Sequence, residues 1–142
     1  MAVRCGFGYP SVIATSSPLP SGEPFPTLFW LTCPYLRDSV GRLESAGEVE
    51  AWAARLAGDP PRAERMREAD AAYRSARAAE SGGADACASV GIAGQRDPLG
   101  TKCLHAHVAT ALAGIDDPVG LAILGAMRCE CEDGRCGVTT TE

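Results

Sequence analysis

The run Lys102-Cys103-Leu104-His105-Ala106-His107 gathers both histidines of the chain, and one of its seven cysteines, within six residues. A thiolate and a neutral imidazole are side chains that hold zinc, and a thiol beside an imidazole is also a nucleophile beside its base. Taken as the start of a helix running to about Ala113, the run puts Cys103 and His107 one turn apart on one face, with His105 about 200° from Cys103. Cys103 and His107 are therefore expected to share a ligand or a proton. His105 is expected to stand apart, as a surface or ligand-binding histidine.

A structural zinc site needs four such donors in a tetrahedron. Cys5, in the glycine turn Arg4-Cys5-Gly6-Phe7-Gly8-Tyr9-Pro10, and Cys33, at the end of an apolar run, would complete one with Cys103 and His107. A second thiol group, Cys129, Cys131 and Cys136, lies near the end of the chain and lacks a local fourth ligand. Neither set has the specificity of paired CxxC knuckles. The bland alternative is that Cys33 and Cys103 are small buried hydrophobes and that the other thiols are exposed and without a role.

The enzymatic alternative makes Cys33 or Cys103 a thiolate nucleophile with His107 as base, or uses the same residues to hold a hydrolytic metal. Such a site needs backbone amides for an oxyanion or phosphate. The stretch Ser89-Val90-Gly91-Ile92-Ala93-Gly94 is the candidate cradle, with Ser89, Gly91 and Gly94 as its ligand-binding positions. Its spacing matches neither the dinucleotide fingerprint nor a phosphate loop.

The elements that must position these residues follow from composition and periodicity. Of the 142 residues, 46% are hydrophobic but only 6% aromatic, which points to one helix-rich core built on small side chains. The formal net charge is -5, with arginines interleaved among acids, so no nucleic-acid footprint is expected. No run approaches the roughly 18 apolar residues of a membrane span, and no signal-type pattern opens the chain. A cytoplasmic location with mostly reduced thiols is expected.

Two short strands, Ser11 to Thr15 and Thr27 to Thr32, are predicted to pair across a proline-rich connection. Helices are predicted from Tyr35 to Ala46, stopped by Gly47, from Glu48 to about Ala57, and from about Arg62 to Ser81 behind Asp59 as N-cap. Met66, Ala69, Tyr73 and Ala76 should face inward on the third, with its charges in water. Ser81 to Gly100 reads as a loop, and Asp116-Asp117-Pro118 caps a fifth helix reaching Met127. The expectation is an α+β, helix-dominated single domain over 1–128, with a small antiparallel β-hairpin near the N-terminus and a Cys-rich tail over 129–142.

Arg4-Cys5 with Gly8 and Pro10, the run from Pro24 to Pro34 (PFPTLFWLTCP), Arg42-Leu43-Glu44 and Lys102 to His107 occur in the order seen in a known family. In that order they resemble the bacterial family called domain of unknown function 501. Asp117-Pro118-Val119-Gly120 is similar to the family's NPVG segment, with aspartate in place of the usual asparagine. The resemblance covers nearly the whole chain. It implies a cytoplasmic bacterial protein and assigns no activity, and by motif position it singles out Cys5, Cys33, Cys103, His105 and His107. It also keeps His105 with Cys103, so that a liganding His105 requires the helix to begin after it or a different site. The function expected is a zinc-binding Cys/His domain that binds a partner protein or a small-molecule ligand. The alternatives are a thiol- or metal-dependent hydrolase using Cys33, Cys103 and His107, and a scaffold with buried thiols.

Overall fold

The computed structural model describes residues 2–15, 25–83 and 85–127. Its sheet has three antiparallel strands in the order β1 (Ala2–Arg4), β2 (Pro10–Ala14), β3 (Phe29–Leu31). The expected hairpin is β2 with β3. The extra strand arises because the expected glycine turn between Arg4 and Pro10 closes a hairpin of its own. Cys5 donates its amide to the Tyr9 carbonyl at 2.8 Å and Gly8, at φ +85°, donates to that of Cys5 at 2.9 Å.

Register sets the two faces of the sheet. Val12 pairs with Leu31 and both are buried, whereas Ile13 pairs with Trp30 and these stay 38% and 39% exposed. Five helices follow: α1 (Pro34–Ser45), α2 (Glu48–Ala57), α3 (Pro60–Glu80), α4 (Leu104–Leu112) and α5 (Pro118–Ala126). The architecture is α+β and dominated by helix. Punctuation in the sequence accounts for most boundaries. Proline occupies the first turn of α1, α3 and α5, Gly47 takes φ +85° between α1 and α2, and the Asp59 carboxylate accepts the Arg62 amide at the start of α3.

The central element is α4, in which Leu104 and every residue from Ala106 to Ala111 are buried. It packs against β3, α1 and α5. Small side chains permit that crowding. A Cβ at Gly120 of α5 would lie 2.1 Å from the His107 carbonyl oxygen, so the two helices touch at the backbone.

The α3 helix departs from expectation, because Asp70 and Arg77 are buried on its inward face along with Met66, Ala69 and Tyr73. Arg77 is fully enclosed. Its guanidinium donates to the carbonyls of Pro26 and Cys87 at 2.8 Å each, to that of Val90, and to the Asp85 carboxylate at 2.8 Å. These bonds pin the long connection between α3 and α4 onto the domain, and each removes a buried carbonyl from the unsatisfied state. Burial acts to raise the Asp85 carboxyl, yet the Arg77 guanidinium and the Cys87 amide outweigh it and hold it below the ordinary carboxylate range. Among the described residues no helix is long and apolar enough to cross a membrane.

Candidate metal centre

The first turn of α4 is clamped by α1. Leu104 donates its amide to Glu44 Oε2 at 2.9 Å, so a carboxylate near the end of one helix caps the start of another. The other oxygen, Oε1, lies 3.1 Å from His105 Nδ1. His105 Nε2 is 3.0 Å from the Arg37 carbonyl oxygen, seven residues earlier on α1. A carbonyl only accepts, so Nε2 carries the hydrogen and the Nδ1 position is turned toward Glu44. Cys103 completes the cluster: donor atoms of Glu44, Cys103 and His105 all lie within 4.8 Å of one another. These three residues form a group that could hold a metal ion.

The pairing differs from the one that helical phase predicts, and the reason is one residue of helix. Cys103 is the N-cap, with φ -143° and ψ 112°, and the helix begins at Leu104. Helical spacing therefore does not relate Cys103 to His107, and the extended backbone at Cys103 turns its thiol toward His105 instead. His107 is fully buried and its Nδ1 is 2.6 Å from Asp117 Oδ2. Asp117 Oδ1 accepts the Val119 and Gly120 amides at 2.9 and 3.1 Å, capping α5. The Lys102 to His107 and Asp117 to Gly120 strings thus meet in space, and His107 joins α4 to α5 rather than joining Cys103.

The expected tetrad of Cys5, Cys33, Cys103 and His107 is not gathered. Cys5 and Cys33 share a separate cleft of about 260 Å³, lined also by Leu36, Leu112, Leu124 and Met127. Among the described residues, the Cys, His, Asp and Glu group that could hold a metal is the Glu44 cluster. Cys5, Cys33, Cys87 and Cys103 are free thiols, each half-buried. The terminal Cys129, Cys131 and Cys136 lie outside the described residues.

The glycine stretch expected to cradle an anion already holds one of the protein's own. Asp70 Oδ1 accepts the Ile92 amide at 3.0 Å, and a Cβ at Gly91 would lie 2.0 Å from that oxygen. The Gly91 amide donates to the Gln95 carbonyl and that of Gly94 to the Gly91 carbonyl. Ser89 is exposed. These glycines admit a buried carboxylate beside the backbone, and their amides are spent inside the fold.

Burial pushes the Cys103 thiol above its ordinary range, and the nearby Glu44 carboxylate adds to this, while the Ala106 and His105 amides pull the other way. Glu44 is not among the candidate ligands read from the sequence, because helical spacing relates residues within α1 and not α1 to α4. The signal that could have found it is the Arg42-Leu43-Glu44 string, one of the five that carry the family resemblance.

The cluster opens onto a cleft of about 720 Å³ that Cys103 and His105 line together with Lys102, Arg37, Trp30 and Ala93. A family model described as "Protein of unknown function (DUF501)" matches residues 1–125. No curated protein and no solved structure matches the chain.

Proposed function

We propose, from the premise that the chain belongs to the DUF501 family, that it is a zinc-binding protein whose ion is held by Cys103, His105 and Glu44 at the edge of a ligand cleft. The observation that carries this reading is the approach of His105 Nδ1 to Glu44 Oε1 at 3.1 Å with Nε2 committed to the Arg37 carbonyl. Two acceptors that close need a positive centre, either a proton or a metal ion. The Cys103 sulfur beside both favours the metal, because a thiol contributes a ligand to zinc and little to an imidazolium carboxylate pair. Tetrahedral zinc places neighbouring ligand atoms about 3.3 to 3.6 Å apart, from bond lengths of about 2.0 to 2.3 Å, and the three donor atoms here lie within 4.8 Å of one another. The Arg37 carbonyl supplies the outer hydrogen bond that orients a liganding imidazole.

The test is elemental analysis of the chain purified without a metal column, followed by cobalt substitution. About one zinc per chain, and a sulfur-to-cobalt charge-transfer band lost in Cys103→Ser, is the expected result. Less than about a tenth of a metal per chain, with melting unmoved by chelation, sinks the proposal. A second reading, metal-dependent hydrolysis, is favoured by one observation. Three protein ligands beside an open cleft leave a position for water or substrate, as catalytic zinc sites do.

A further inference from the structure

The cleft beside the cluster has a charge and a shape of its own. Its wall is largely apolar: Ile13, Phe29, Trp30 and Leu31 come from the sheet and Ala106 from α4. Ile13 and Trp30 keep 38% and 39% of their surface open, and the Trp30 ring stacks on Phe25 at 5.4 Å with its Nε1 donating to Thr15 Oγ1 at 3.0 Å. That anchored indole presents a fixed flat face. The charged residues lining the cleft are Arg37 and Lys102, with no acidic residue, in a chain whose net charge is -5. Among the described residues neither side chain forms an ion pair. Both are exposed; Lys102 adjoins Cys103 in the chain, and the Arg37 carbonyl accepts from His105.

We infer that this cleft binds a small organic carboxylate with a flat apolar body, its acid group between Arg37 and Lys102 and its body along Trp30 and Ile13. A volume of about 720 Å³ suits a ligand of drug size, and a few placed charges on an apolar wall are what orient one. An arginine fork matches a carboxylate, and an exposed indole face accepts a flat ring. The inference rests on the zinc reading only in placing the acid group beside the ion; the cationic pair and the aromatic wall stand without it.

The experiment uses the full chain, zinc-loaded and chelator-treated, titrated with 2-naphthoate and with its neutral isostere 2-naphthamide. The Trp30 indole N–H resonance reports the location. Naphthoate is expected to bind about tenfold or more tighter than the amide, to shift the Trp30 signal and not that of Trp52, and to lose its advantage in Arg37→Gln/Lys102→Met. That double variant replaces exposed side chains, and its zinc content and melting are measured beside the parent's. If zinc fails to bind but the naphthoate preference and its dependence on the two cations persist, the metal reading falls and this inference stands. If zinc binds and naphthoate is no tighter than naphthamide, or keeps its advantage in the double variant, or shifts Trp52 instead, this inference is overturned while the metal reading survives.

Discussion

His105 donates Nε2–H to the carbonyl oxygen of Arg37 across 3.0 Å, joining residues 68 positions apart in the chain. The bond fixes the ring's tautomer and turns its other nitrogen toward Glu44. It brings His105 into the group at the start of α4 that could hold a metal ion.

Substitutions separate this site from the set suggested by sequence. Cys103→Ser and His105→Ala are each expected to weaken zinc binding about 100-fold or more, and Glu44→Gln about tenfold to 100-fold. Cys5→Ser and Cys33→Ser should stay within about threefold of the parent, because those thiols line a different cleft. Competition with a chromophoric chelator measures all five. Equal losses from Cys33 and Cys103 would restore the original tetrad.

Zinc affinity should climb with pH. The Cys103 thiol is raised by burial and by Glu44, so it stays protonated through neutral pH and binding must release its proton. Apparent affinity is expected to rise about tenfold per pH unit below the thiol's folded pKa, and Cys103→Ser should flatten that slope. A pH-independent affinity between pH 6 and about 8 would mean that the sulfur is no ligand.

At Asp117, charge and capping can be separated. Asp117→Ala removes both the α5 cap and the partner of a fully buried imidazole, and should cost about 3–5 kcal/mol in denaturant unfolding. Asp117→Asn keeps an oxygen for the Val119 and Gly120 amides and is expected to cost about 1 kcal/mol. Its amide would then donate to His107 Nδ1, moving the ring hydrogen to Nε2, which nitrogen-15 shifts detect. A cost for asparagine equal to that for alanine would contradict the capping account.

Two glycines on α5 make an internal control. Gly120→Ala drives a Cβ to within 2.1 Å of the His107 carbonyl and should destabilise by about 1–3 kcal/mol or more, whereas Gly125, with nothing within 4 Å, should tolerate alanine or gain up to about 1 kcal/mol. Thermal melts of the two variants decide it. Equal effects would mean that the helices can separate at no cost.

Acid should loosen the connection between α3 and α4. Because the Asp85 carboxyl is held below its ordinary range, its contribution is fully present above the unfolded value and is lost as pH falls through the folded one. Protection of the Cys87 amide, whose N–H donates to Asp85 Oδ1, should fall relative to its intrinsic exchange rate in that acid window, and Asp85→Asn should remove this pH dependence of protection. Arg77→Met, stripping four carbonyl and carboxylate partners of a buried cation, is expected to cost about 3–5 kcal/mol at neutral pH.

Much of the architecture is legible because its causes are local. Proline at helix starts, Gly47 after α1, and aspartates 59 and 117 ahead of prolines act within a few residues of where they stand, and the apolar spacing of α1, α2 and α5 follows from helical period alone. The third strand escaped notice because Ala2 to Arg4 is too short to show alternation and gains its meaning only from the turn at Cys5 to Tyr9. Asp70 and Arg77 escaped because a charge at an inward position is normally a cost. Here it is offset by carbonyls and amides from a loop whose path no periodicity describes.

By itself the sequence determined the helix-dominated α+β class and the family, and it singled out Cys103 and the two histidines as candidates. Only the tertiary structure decided which of them meet. Helical phase relates residues inside a helix, and Cys103 stands one residue outside it with extended backbone angles. The third member, Glu44, comes from 60 residues before Leu104, brought there by packing of α1 on α4. Proximity across such a distance is set by which faces bury together, a property of the folded core that the spacing of residues along one strand or helix does not contain.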